Sequence, residues 1–193
     1  MTMTLLIIGI IVFAGSHLVV MLLPGLRAGL HGSLGEGPFK GLFSLVSLVG
    51  LALMIYGFYT TRGTLEGTDY LYTPAPWARH LAMTLVLLAF IFIGASHGKG
   101  YLKSWLKHPM SIGFGLWAVA HLAANGDRPG VYLFGSILAL SVVDIVLSTA
   151  RGKVPTHEPR VRSDIIAILV GIALYLLFLF VVHPYVFNLP IVA

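Results

Sequence analysis

The chain has 193 residues, of which 58% are hydrophobic and only 10% are charged, and its mean hydropathy is +0.93. These values exclude an ordinary soluble domain and indicate an integral membrane protein, in which about 20 apolar residues are needed for each crossing helix. The sequence has no cysteine, which excludes disulfides, iron–sulfur clusters and thiolate or covalently attached haem, so any cofactor must be held by nitrogen or oxygen ligands.

Six apolar segments predict an all-α fold, a polytopic membrane helix bundle that forms one domain over residues 1–193. Proline and glycine mark most segment boundaries, as in Pro24-Gly25 after the first and Pro129-Gly130 before the fifth. The predicted helices cover residues 3–23, 39–60, 78–96, 109–125, 130–149 and 164–187.

Positive charge predicts the orientation of these helices. Nine of the 12 Lys and Arg residues lie in or flank the first, third and fifth connections: Arg27, Lys40, Lys99, Lys103, Lys107, Arg151, Lys153, Arg160 and Arg162. The positive-inside rule therefore places these connections in the cytoplasm and both termini on the outer side. The net charge of +5 follows from this topology and from attraction to anionic lipid, so the lipid bilayer is the expected partner and nucleic acid is not.

Histidines lie inside and at the edges of the apolar segments. An imidazole in hydrocarbon indicates a hydrogen bond between helices, a proton path or a metal centre. His17 is about six residues from the inner end of helix one, and His121 is about four from the outer end of helix four. Counted from opposite sides of the membrane, the two residues approach the same depth, and they could hold a haem between helices one and four. A single intramembrane histidine, however, is more often a hydrogen-bonding contact between helices.

Three further histidines are reserve candidates for a ligand: His80, His108 and His183. His80 could equally be an interfacial residue, His108 a headgroup-facing one and His183 a helix-end one. The pair His108 and His121 is excluded, because 13 residues of one helix separate them by about 20 Å on different faces.

Asp144 is the least expected residue, since a carboxylate inside the fifth segment is costly unless it is paired or neutral. Its predicted depth is similar to that of His17, and one hypothesis is that it accepts a hydrogen bond from the ring N–H of His17 and so orients that ligand. The alternative is a hydrogen bond to Ser141 or Ser148, or a pair with Arg151.

Five short stretches occur in a specific order and spacing. They are Gly15-Ser16-His17, LGEGPFKGLFSLVS at residues 34–47, Arg79-His80, Lys107-His108-Pro109-Met110, and LWAVAHLAANGD at residues 116–127. With these stretches the chain resembles the NnrU family over nearly its whole length. The resemblance implies a bacterial inner-membrane protein associated with denitrification gene clusters. Plant and cyanobacterial relatives of that family include 15-cis-ζ-carotene isomerase, a b-haem membrane enzyme.

Carried over by position, the resemblance implies haem b as the cofactor, with His17 and His121 as its axial ligands. One position departs from the plant isomerases, which have a cysteine three residues before the second ligand, where this chain has Ala118. A mechanism that requires a thiolate at the iron is therefore excluded here, and this weakens the expectation of carotenoid isomerisation more than that of haem binding.

Three functions remain open from the sequence. The first is a haem enzyme or redox sensor whose iron acts on a hydrophobic polyene or binds nitric oxide. The second is a noncatalytic membrane factor for the assembly of nitrogen-oxide reductases. The third is an S-adenosylmethionine-dependent membrane methyltransferase, because Lys107-His108-Pro109-Met110 with Gly113 faintly resembles a stretch of those enzymes. Their acidic pair is represented here only by isolated Asp144 and Glu158.

Overall fold

The computed structural model describes residues 2–189 and 191, and the described chain is helical apart from its connections. Eight α-helices are followed by one π-helical segment. In chain order they are α1 (Thr2–Leu22), α2 (Pro24–Leu34), α3 (Glu36–Thr61), α4 (Ala78–Ser96), α5 (Tyr101–Leu106), α6 (Pro109–Ala124), α7 (Arg128–Ala150), α8 (Val161–Leu177) and the π segment (Phe178–Val186).

The all-α membrane class predicted from the sequence is confirmed. Five helical stretches in the described part of the chain are long and apolar enough to cross a membrane, and the shorter apolar helix α6 makes the sixth predicted segment. Two helices were not predicted, α2 and α5, and both lie within connections. Pro24 occupies the first turn of α2. Proline is favourable there because the N–H that it lacks would have no partner within the helix. Pro24 therefore begins α2 as well as ending α1. The predicted orientation of the helices in the membrane, with both termini on the outer side, stays a prediction.

The described residues group into two compact units. Unit 1 contains the chain up to Thr73 together with Asn125–Leu140, and unit 2 contains Pro74–Ala124 together with the chain from Ser141 onward. Each unit is described below by itself, and the organisation of residues 1–193 as one domain stays a prediction.

In unit 1, α1 packs closely along α3. Gly57 is buried on α3, and a Cβ atom added to it would lie 2.7 Å from the Cα of Leu6. Only a glycine permits this approach of the two backbones, as small residues commonly do where membrane helices meet. Leu6, Met3 and Met54 form a buried apolar cluster beside this contact. The side chains of α1 and α3 are thereby held in a fixed register, which places Phe43 against His17.

The connection between α3 and α4 is tied to the start of α7 within unit 1. Asp69 forms an ion pair with Arg128, and the Asp69 carbonyl oxygen accepts a hydrogen bond from the Arg128 backbone N–H at 2.8 Å. The Leu71 N–H donates to the Gly126 carbonyl at 2.8 Å. Asp127 in turn accepts a hydrogen bond from the Gly130 N–H at 2.8 Å, which satisfies one of the donors that a helix start leaves unpaired.

In unit 2, α4 packs against both α6 and α8. Gly113 of α6 is buried against α4, where a Cβ atom would lie 2.7 Å from Cγ1 of Ile93 and 2.9 Å from the carbonyl oxygen of Ala89. Gly171 of α8 makes a similar approach to Ile91. Gly113 and Gly171 thus let α6 and α8 each lie close against α4.

The polar end of unit 2 is organised by the first turn of α8. The Asp164 carboxylate accepts hydrogen bonds from the backbone N–H groups of Tyr101, at 2.8 Å, and Leu102, at 3.1 Å. It therefore caps the start of α5 from another helix, in the way a side-chain oxygen usually does from within the same helix. His157 lies at this end as well, with Nε2 3.2 Å from the Gly100 carbonyl oxygen.

The last segment changes from α to π geometry after Leu177. Pro184 lies inside the π segment, and because proline has no amide hydrogen and its ring clashes with the preceding turn, an α-helical ladder cannot pass through it unbroken. The Phe187 N–H donates to the carbonyl of Val182, five residues earlier, at 3.1 Å. The wider turn sets the direction of His183, the residue just before the proline.

Candidate functional site

His121 lies half-buried in the last turns of α6. Its Nδ1 is 2.8 Å from the carbonyl oxygen of Trp117, one turn earlier. A carbonyl oxygen can only accept, so Nδ1 must carry the proton, and in the neutral ring the lone pair is then on Nε2. This hydrogen bond fixes both the tautomer and the ring orientation, as is usual for histidines that bind metals.

His17 on α1 has the same local arrangement in unit 1. Its Nδ1 is 2.7 Å from the carbonyl oxygen of Phe13, and the ring is half-buried. The ring lies between two aromatic side chains, with centroid distances of 4.4 Å to Phe13 and 5.0 Å to Phe43. The lone pair of the neutral ring is again on Nε2.

His183 repeats the pattern in the π segment of unit 2. Its Nδ1 is 2.8 Å from the carbonyl oxygen of Phe178, five residues earlier, and Phe178 and Phe187 flank the ring. The ring of His183 also lies beside that of His121, with a centroid distance of 6.4 Å and an angle of 19° between the ring planes. Unit 2 therefore brings together two of the histidines singled out in the sequence.

The pair His17 and His121, which the resemblance implies, falls in separate units. Each ring is held in the ligand tautomer by its own helix, and their joint action on one haem stays a prediction.

The other two reserve candidates have different surroundings. His80 is exposed on the first turn of α4, and its ring has no hydrogen-bond partner among residues 2–189 and 191. His108 precedes α6, and its Nε2 is 3.1 Å from the hydroxyl oxygen of Thr149 on α7. That contact occupies Nε2 and links the start of α6 to α7.

Asp144 joins α6 to α7. One of its carboxylate oxygens accepts a hydrogen bond from the Ser111 hydroxyl of α6, and the other lies 3.3 Å from the hydroxyl of buried Ser148. Of the alternatives weighed from the sequence, the bond to Ser148 is present, while Ser111 was missed. A serine in an apolar segment was the signal that could have found it. The role of Asp144 beside His17 stays a prediction.

Replacing Asp144 by alanine is expected to lower the melting temperature of the detergent-solubilised protein. The change removes the acceptor shared by Ser111 and Ser148, and leaving such hydroxyls unsatisfied costs about 1–3 kcal/mol. Thermal unfolding followed by circular dichroism measures the loss. Ser148→Ala is the matched control, because it keeps the bond between the helices and should have a smaller effect. Equal melting temperatures for Asp144→Ala and the unaltered protein would contradict this helix-joining role.

The candidate histidines in the described part of the chain do not belong to a cluster of metal ligands. Within residues 2–189 and 191, no group of three or more His, Cys, Asp or Glu side chains is placed to hold an ion, whereas structural zinc sites need four such ligands. A porphyrin supplies four nitrogens of its own and needs only one or two axial imidazoles. The residue three before His121, Ala118, is fully buried on the same helix.

Fold and site together define a polytopic helical membrane protein whose apolar helices carry imidazoles protonated on Nδ1. The family model described as "NnrU protein" matches residues 5–191, so the chain belongs to the NnrU family. Searches of curated proteins and of solved structures found no match.

Proposed function

We propose that this NnrU-family protein lies in the bacterial cytoplasmic membrane and binds one b-type haem, with His121 as an axial ligand. The observation that carries the proposal is the bond from Nδ1 of His121 to the carbonyl of Trp117. It puts the lone pair of the neutral ring on Nε2, the atom that would bind the iron, and holds the ring at one angle, so little freedom has to be lost on binding.

The surroundings of His121 suit a flat apolar cofactor. Ala118 and Ala120, three residues and one residue before it on the helix, are fully buried, and the Trp117 ring lies 4.6 Å from the imidazole, tilted by 50°. With no cysteine in the chain, the haem has neither a thiolate ligand nor a covalent link to the protein, and imidazole nitrogen is the ligand that we propose. The protein's own contribution is then to bind and orient the ring and to exclude water from it.

We place the bound haem in nitrogen-oxide metabolism. A haem held by imidazole would supply a ferrous iron able to bind nitric oxide, and the family resemblance to proteins of denitrification gene clusters supports this ligand. Double-bond isomerisation of a polyene is the less supported haem function, since Ala118 stands where the plant isomerases have cysteine. The methyltransferase alternative receives no support from Asp144, whose oxygens accept hydrogen bonds from two serines.

The proposal is tested by absorption spectroscopy of the protein purified from cells supplied with a haem precursor. We expect a Soret band, a sharpened α band after reduction by dithionite, and a shift of both bands when nitric oxide is added anaerobically. The His97→Ala variant should give the same spectra, because His97 is exposed at the end of α4. A protein of native helical content without a Soret band would overturn haem binding and favour the noncatalytic assembly factor.

A further inference from the structure

An open apolar groove lies between helices α5 and α8 of unit 2. Its lining consists of Tyr101, Leu102, Trp105, Asp164 and Ile168, and its volume is about 420 Å³. Asp164 and Ile168 are four residues apart and therefore lie on one face of α8. The groove thus runs from the polar start of α8 toward the part of this helix that is apolar enough to cross a membrane.

Two aromatic side chains form the α5 wall of the groove. Tyr101 and Trp105 are four residues apart on that helix, and their ring centroids are 6.0 Å apart. Trp105 is 73% exposed although its side chain is large and mostly apolar. Amphipathic aromatic rings are enriched where a membrane protein meets the lipid headgroups. This wall therefore suits a hydrocarbon chain close to its polar head.

Backbone hydrogen bonds gather positive charge at the polar end of the groove. The Arg160 N–H donates to the Lys99 carbonyl at 2.8 Å, and the Lys99 N–H donates to the Ser163 hydroxyl at 2.8 Å. Arg162 precedes Ser163 on the first turn of α8. Lys99, Arg160 and Arg162 are exposed, and none of them forms an ion pair within the described part of the chain. These three cations are therefore available to a phosphate group.

The Asp164 carboxylate, which also lines the groove, is held by α5. It accepts hydrogen bonds from the backbone N–H groups of Tyr101, at 2.8 Å, and Leu102, at 3.1 Å. The groove thus combines an apolar lining with basic residues at one end, and these are the two features that an anionic phospholipid requires. A soluble phosphate ion would use only the cations, and a neutral lipid only the apolar lining.

We infer that this groove binds one anionic phospholipid. Its phosphate lies at Lys99, Arg160 and Arg162, and one acyl chain lies between the Trp105 wall and Ile168. The bound lipid holds α5 against the start of α8. This site uses none of the residues of the proposed haem site and does not depend on haem binding.

Native mass spectrometry of the whole chain, released from detergent micelles, measures the binding directly. The probes are dioleoylphosphatidylglycerol, which is anionic, and dioleoylphosphatidylcholine, which has no net charge. We expect one molecule of the anionic lipid to bind at least 10-fold more tightly than the neutral lipid. Each basic residue near an anionic lipid contributes about 5-fold in affinity. Changing Lys99, Arg160 and Arg162 together to glutamine should therefore abolish the preference.

Matched variants separate this site from general attraction. A second triple variant, with Arg27, Arg79 and Lys153 changed to glutamine, loses the same charge at exposed residues outside the groove and should keep the preference. Trp105→Ala should weaken binding of the anionic lipid several-fold, whereas Trp77→Ala, at an exposed tryptophan outside the groove, should not. Excess glycerol 3-phosphate should not displace the lipid, because it has no acyl chain.

Equal affinities for the two lipids would contradict the inference. An equal loss of preference in the two triple variants would also contradict it, because attraction would then follow net charge alone. Displacement by glycerol 3-phosphate, or unchanged lipid binding in Trp105→Ala, would show that the groove holds no acyl chain and would likewise overturn it. Because the mass of the protein also reports bound haem, failure of the proposed haem binding is detected separately in the same spectra.

Discussion

Protein carrying His121→Ala is expected to lose its haem during purification. The imidazole of His121 is the proposed ligand, and the bond from its Nδ1 to the Trp117 carbonyl holds the ring in place. Even partners that only orient a metal ligand contribute about 10- to 100-fold in affinity, so removal of the ligand itself should reduce haem per protein by roughly 10-fold or more. The pyridine haemochrome assay gives this ratio directly.

Two further variants distinguish ligand loss from misfolding. His97→Ala, an exposed histidine in the same unit, should keep full haem content. His121→Gly should regain a Soret band when imidazole is added, because the free ring can occupy the position of the deleted side chain. Full haem occupancy in His121→Ala with an unchanged spectrum would show that the iron is held elsewhere.

The second large effect is expected from Gly113→Ala, which should lower the melting temperature of the solubilised protein by several degrees. The new methyl group would lie 2.7 Å from Cγ1 of Ile93 and 2.9 Å from the Ala89 carbonyl, so α4 and α6 would have to separate. Overpacking of this kind costs about 1–3 kcal/mol, and about 2–4 °C accompanies each kcal/mol in a chain of this length. Differential scanning fluorimetry measures the shift.

Gly115→Ala provides the matched control two residues further along α6. There a Cβ atom would be 3.5 Å from Cβ of Ser141, an ordinary contact, so the melting temperature should be unchanged or slightly raised. Alanine favours the helix over glycine by about 0.5–1 kcal/mol at both positions, and propensity therefore cannot account for a fall at Gly113 alone. Equal melting temperatures for the two variants would contradict the close approach of α4 and α6.

Helix α6 contributes both to the packing of unit 2 and to the proposed site. Gly113 determines how closely the helix lies against α4, and His121, eight residues later, carries the nitrogen that we propose binds the haem iron. Because a helix is stiff over two turns, a displacement at Gly113 should also move His121. We therefore expect Gly113→Ala to weaken haem retention in addition to stability, while Gly115→Ala leaves it unaltered.

Individual helices show which parts of the fold the sequence pattern predicts. The apolar segments of 17 or more residues predicted the crossing helices, because a bilayer core requires that length and composition regardless of packing. The short helices α2 and α5 were missed, since neither has a long apolar run. The start of α5 depends on the Asp164 carboxylate, 63 residues away from Tyr101, and no local pattern contains that contact.

The features of the candidate site likewise divide into those that the sequence determines and those that only the tertiary structure decides. The sequence by itself determined the membrane class, the family resemblance, the lack of a thiolate and the small set of intramembrane polar residues, because each follows from residue type and spacing along one chain. Only the tertiary structure decided that Asp144 joins Ser111 to Ser148 and that His183 lies beside His121. Those contacts depend on which helix faces meet, and apolar faces of nearly uniform hydropathy do not specify their partners.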